Sequence, residues 1–288
     1  MSFFREWHLF LFVHAGEIMG TSVFKLENVC LEKKQKTGIT HILSDINFSV
    51  DEGEFVCVMG PTGCGKSSLL RLLGTTEIPT SGRVNFLGKN TSEKKSASSD
   101  MLRQLGIAFQ SDNLFEWKTV EKNIQTPINI FGLKKEIDVT GQTNKMLELT
   151  GLEKYRNCYP HELSGGMRQR CAFARAFVHN PKILLLDQPF GALDAITRKI
   201  LGIELLKIWK EQGKTVVMVT NSVPEALLLS QRVLVLSSAP GSLVREIAVD
   251  IPYEERFAEL GENKKYIGLS DELNSCVHEK RTFVQEVK

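Results

Sequence analysis

Nowhere in its 288 residues does the chain hold a long uncharged apolar run. Crossing a bilayer as a helix takes roughly eighteen such residues, so no segment reads as a membrane span. It has no CxxC pair and no metal-ligand spacing; its six cysteines, Cys30, Cys57, Cys64, Cys158, Cys171 and Cys276, are scattered. That usage excludes a disulfide framework and fits a reducing compartment. Charge bias is missing as well: the formal net charge is +2, too small to argue for nucleic acid as a partner. Internal repeats and biased tracts are absent, which excludes solenoids. What remains is an ordinary globular composition, 42% hydrophobic and 24% charged, with length for one or two domains.

Phe3 to Val13 is apolar but holds Arg5, Glu6 and His8. It reads either as a membrane-surface anchor or as a loosely held extension, with Met19 standing just before the first good strand. From there Val23–Leu31 alternates as a strand. A charged, turn-rich stretch, Glu32–Thr40, separates it from a second strand, Ile42–Val50. Glu54–Met59 is a short buried-type strand, and Gly60–Gly65 is a glycine-rich loop opening a helix at Lys66. Arg83–Leu87 is hairpin-like, Thr91–Asp100 a surface loop, and Gly106–Gln110 a strand running into a loop. Val120 to Thr150 is helical, interrupted near Pro127 and Gly132, with Leu163–Asn180 as a returning helix. Strands at Ile183–Asp187, Thr215–Thr220 and Arg232–Ser237 then alternate with helices at Ala195–Gln212 and Pro224–Ser230. That alternation predicts a largely parallel sheet covered on both faces. Beyond Asp250 the chain is charged and only weakly periodic.

Gly60-Pro-Thr62-Gly63-Cys64-Gly65-Lys66-Ser67-Ser68 matches a phosphate-binding loop in the context its mechanism needs, after a strand and before a helix. Consecutive backbone N–H groups and the positive helix end cradle phosphates. Lys66 reaches the terminal phosphates, and the Ser67 hydroxyl ligates magnesium. Ile183-Leu-Leu-Leu-Asp187 is an apolar strand ending in a carboxylate, the form expected of a second magnesium-site group. ATP and Mg2+ are the cofactors this pair implies.

Leu163-Ser164-Gly165-Gly166-Met-Arg-Gln-Arg170 resembles the signature sequence of ABC ATP-binding proteins, and the resemblance covers Phe24 to Ile251. It implies an α/β P-loop NTPase of ABC type: a mostly parallel core sheet, an antiparallel β subdomain and a helical signature subdomain. The implied bounds are an extension at 1–21, the ATP-binding domain at 22–251 with its helical subdomain at about 112–178, and a tail at 252–288. Ser164 and two glycines at a helix start make a further anion cap. In the family each signature closes over ATP held by a second subunit, in a homodimer or a heterodimer. Gln110 resembles the lid glutamine that touches magnesium, and Gly191-Ala-Leu-Asp194 the loop that crosses the dimer interface. FGALDAIT, NSVPEALLL and RVLVLSSAPG resemble the importer ATPases for nitrate, sulfonates, taurine and pyrimidine precursors. A transmembrane permease, and through it an extracytoplasmic substrate-binding protein, are the implied partners, at the cytoplasmic face of the membrane.

Three positions depart from that pattern. Where the family has LLLDEP, the chain reads Leu186-Asp187-Gln188-Pro189, and where it has VTHS, the chain reads Val219-Thr220-Asn221-Ser222. A carboxamide can hydrogen-bond a water but cannot take its proton, so slow turnover is expected. Between Phe24 and Phe48 no Phe, Tyr or Trp is available to stack on adenine, and His41 is the nearest ring.

Overall fold

The computed structural model describes residues 22–35, 38–93, 97–253, 256 and 263–278. The apolar stretch at 3–13 therefore lies outside the described residues. Two sheets form. The first is antiparallel, in the order β2 (Gly38–Asp51), β1 (Ser22–Gln35), β4 (Ser81–Phe86) and β5 (Lys89–Asn90). The second runs β10 (Leu243–Ala248), β9 (Arg232–Leu236), β3 (Phe55–Met59), β8 (Thr215–Val219), β7 (Ile183–Asp187) and β6 (Leu105–Ala108). Its five strands from β9 to β6 are parallel, and only β10 is antiparallel, to β9.

The apolar runs in β3, β7 and β8 are continuous because both faces of this sheet are covered. Phe55, Cys57, Met59, Leu184, Leu186, Val216 and Met218 point into one core, shared with α6 (Gly165–Phe177) and α7 (Ala195–Gln212). Val56, Val58, Ile183, Leu185, Val217 and Val219 point into the other. There α1 (Lys66–Leu73) supplies Leu69, Leu70, Leu72 and Leu73 against the antiparallel sheet, where Phe24 stacks on Phe86 at 5.0 Å. The helical subdomain comprises α3 (Val120–Ile124), α4 (Thr126–Ile130), α5 (Val139–Thr150) and α6, with α2 (Ser99–Arg103) preceding β6. Pro127 sits in the first turn of α4, where a missing N–H costs nothing.

Three expectations need correction. Glu32–Thr40 is not a turn-rich separator: Glu32 to Gln35 and Gly38 to Thr40 pair in one long hairpin, with Glu32 opposite His41. Its charged residues lie on the exposed end of a two-stranded ribbon, so polarity there does not signal a break. Thr91–Asp100 is not loop throughout, because Ser98 caps α2 by accepting from the Met101 N–H. The tail holds a helix, α9 (Lys264–His278), whose Leu273 is fully buried. It packs on β9 and on α8 (Val223–Leu229), so tertiary contact supplies what local periodicity lacks.

Candidate functional site

Three adjacent parallel strands end at one edge of the core sheet. Val58 pairs with Val219 across β3 and β8, and Val219 with Asp187 across β8 and β7. That register delivers Gly60, Thr220–Asn221 and Asp187–Gln188 side by side, at the carboxyl ends where open α/β sheets bind ligands.

The loop after β3 turns on left-handed glycines. Gly65 has φ 101°, and a Cβ there would lie 2.7 Å from Leu43 Cδ2 and 3.0 Å from the Ile42 carbonyl oxygen. Gly63, at φ 82°, faces open space. No side chain caps α1, so its first-turn N–H groups stay available to an anion. Lys66 is buried, its ammonium donating to the carbonyls of Gly60 at 2.7 Å and Pro61 at 2.9 Å. Thr62 is exposed, and Ser68 is buried behind the loop. Burial pushes the Cys64 thiol up against the opposing pull of Lys66, so it packs as a neutral apolar group.

Asp187 is 2% exposed. Burial raises its pKa, while a hydrogen bond with Ser67 and the charges of Arg71 and Lys66 oppose that. Its Oδ1 is buried without a hydrogen-bond partner. Beside it opens a cavity of about 580 Å³ lined by Arg71, Phe109, Gln110, Asn113 and Asp187, so Gln110 and Asp187 do share one cavity. A serine hydroxyl, a carboxamide and a carboxylate with an orphaned oxygen suit a hard divalent cation. Among the described residues no cluster of three or more His, Cys, Asp or Glu could hold a metal alone. An ion here would need phosphate or water oxygens as well.

Gln188 follows in a left-handed conformation, φ 48°, with its N–H donating to the Val219 carbonyl at 2.9 Å. Its carbonyl accepts from Gln169 Nε2 at 2.8 Å, and Gln169 Oε1 accepts from the Ala192 N–H at 2.8 Å. Asn221 is exposed at the end of β8. Next to it Thr220 donates to Glu225 Oε2 at 2.5 Å, and Ser222 caps α8.

The signature residues stand apart from the phosphate loop: among the described residues no hydrogen bond joins Ser164, Gly165 or Gly166 to residues 60–68. Ser164 is exposed and caps α6, accepting from the Met167 N–H at 3.3 Å. Gly166 backs onto the Ala192 carbonyl, 3.1 Å from where a Cβ would sit. Asp194 caps α7 through the N–H groups of Ile196 at 3.1 Å and Thr197 at 3.0 Å. The Thr197 N–H, more than any other group, holds its carboxyl below the usual range. His41 is exposed and engages Glu32 at 2.9 Å.

Two residues here escaped sequence reasoning. Arg71 lies four positions after Ser67 on α1, and that spacing placed it on the same helix face. Gln169 ties α6 to the strand-end loop through contacts that only the fold creates.

A family model described as ABC transporter matches residues 43–191. An uncharacterized ABC transporter ATP-binding protein of Methanocaldococcus jannaschii is 43% identical over 229 residues, 78% of this chain and 82% of that protein. The aliphatic sulfonates import ATP-binding protein of Bacillus licheniformis is 41% identical over 214 residues, 74% of this chain and 80% of that one. Proteins named for the import of nitrate, in Synechocystis sp., and of taurine, in Pelagibacter ubique, are similar at 37% and 39% identity. They cover 86% and 80% of this chain, and it covers 92% and 81% of them. The dimeric ATP-binding cassette MJ0796, in a post-hydrolysis state with ADP and Pi, matches with a TM-score of 0.71 at 33% identity. That match covers 80% of this chain and all of the other.

Proposed function

This chain belongs to the ABC transporter family as an ATP-binding cassette, and we propose that it is the energy-coupling subunit of an importer for a small solute. The solute is of the nitrate, sulfonate, taurine or pyrimidine-precursor kind, the first three being solutes for whose import relatives are named. The convergence of Lys66, Asp187 and the uncapped α1 at one strand edge carries the nucleotide half of this reading.

The loop N–H groups of residues 60–68, with Lys66, hold the phosphates of ATP. Ser67, Gln110 and Asp187 would hold Mg2+, which would supply charge neutralisation on the phosphates. Ser164 and Gly165 are exposed and Gly166 is half-buried, and among the described residues none of them hydrogen-bonds this chain's own loop, which suits contact with ATP on a second ABC subunit. Gly191–Asp194 lies beside that signature helix, where a dimer interface would run. ATP-driven closure of the dimer is passed through α3–α6 to a transmembrane permease at the cytoplasmic face, which receives solute from an extracytoplasmic binding protein. Trp117, 74% exposed, and Ile130, 70% exposed, are large apolar side chains of that subdomain open to such a contact.

Gln188 and Asn221 occupy the positions facing the γ-phosphate. Neither can act as a general base, a loss of about 10²–10⁴ in rate. The chain's own site therefore binds ATP and turns it over slowly, and in a heterodimer its signature completes a competent sister site. A second reading, a regulatory ATP-binding protein without a transport role, is favoured by the same two residues. Affinity purification of the tagged chain from its native membrane separates them: a hydrophobic permease in stoichiometric amount supports the importer subunit, and recovery without one contradicts it.

A further inference from the structure

Opposite the phosphate edge, where β7 and β8 begin, a cavity of about 660 Å³ is lined by Val23, Leu87, Ile183, Gln104, Gln212 and Lys214, among others. Lys214 is 4% exposed. Its ammonium donates to Asn180 Oδ1 at 2.7 Å and to the Pro181 carbonyl at 2.5 Å, both neutral acceptors. An ammonium carries three donors, and among the described residues no carboxylate pairs with this one.

The surroundings deepen the imbalance. Burial, and then the charge of Lys145, pull the Lys214 pKa down to about 8. Lys145 and Lys214 both line a small adjoining cavity of about 80 Å³. At the larger cavity Glu52 and Lys182 are both exposed and offset one another, so Lys214 sets the net charge. Asn180, whose carboxamide orients the ammonium, is itself left-handed at φ 54°. A buried cation without a counter-charge is costly. Amide groups of Gln104 and Gln212 and an apolar wall of Val23, Leu87 and Ile183 complete the lining.

We propose that this cavity binds a small organic monoanion, a carboxylate or sulfonate on a short apolar chain, with its head on Lys214 and its chain against Val23, Leu87 and Ile183. One buried cation matches one negative charge, and the apolar wall distinguishes such a ligand from bare sulfate or phosphate. The site uses none of the nucleotide machinery, so it stands whether or not the transport reading does.

The test titrates butyrate and 1-butanesulfonate into the full chain with MgATP present to fill the phosphate loop, following backbone amides at 213–215 by NMR. Saturable shifts are expected for at least one probe, and the better probe identifies the head group. Inorganic sulfate should bind more weakly. Lys214→Met should weaken binding about tenfold, the order of one charge-assisted hydrogen bond, and Lys182→Ala by no more than a few-fold. Should Lys214→Met fail to fold, protection of Lys214 from reductive methylation by the probes replaces it. No saturation at these amides, equal affinity in Lys214→Met, or an unchanged methylation rate would each overturn the site.

Discussion

The phosphate loop and the two strand ends beside it share one sheet edge, but their side chains differ in chemistry. The loop after β3 keeps every feature that anion binding needs: an uncapped helix start, a left-handed Gly65 and a buried lysine. The ends of β7 and β8 place two neutral carboxamides, Gln188 and Asn221, beside that loop, and neither side chain ionises. On the proposed function, binding and bond cleavage draw on separable parts of one edge.

The sharpest way to break this contrast is to return the ionisable groups. Gln188→Glu is expected to raise ATP turnover by about 10²–10⁴, the worth of a positioned general base, in a steady-state phosphate-release assay. Lys66→Ala should act on the other half, weakening ATP binding about ten- to hundredfold for a lost charged hydrogen bond, measured by equilibrium titration. Asn221→His should give a smaller gain than Gln188→Glu, about tenfold in turnover, since it restores an ionisable ring rather than the general base. Gly65→Ala would clash with Leu43 and force a left-handed alanine. A cost of about 1–3 kcal/mol should appear as a drop of several degrees in Tm.

The smallest effect concerns pH. Burial holds the His179 pKa at about 4, while the unfolded chain titrates near 6.5. The unfolded state then binds more protons between those values, so stability is full above about 6.5 and declines as pH falls towards 4. Denaturant midpoints across that range should show the decline, and His179→Gln should flatten it.

What could be read from the sequence was what local chemistry decides. β3, β7 and β8 are short apolar runs bounded by glycine, proline or acidic punctuation; Asp187 ends β7, and Lys66 opens α1 after the glycine loop that follows β3. β10 escaped because an edge strand exposing Val244, Arg245 and Glu246 carries little periodic signal. α9 escaped because its stability comes from packing on α8 and β9. Within the site, Gln169 was invisible for the same reason: its partners at Gln188 and Ala192 lie about twenty positions away and meet it only in the fold. Asp194 reads from the sequence as an interface residue, and in the fold its carboxylate caps α7.

The most direct test of the account is the fate of ATP held by the purified chain. After incubation with MgATP and removal of free nucleotide, the bound species is expected as intact ATP, close to one per site, with release of phosphate far slower than dissociation. Recovery as ADP, with steady turnover that Lys66→Ala abolishes, would contradict it.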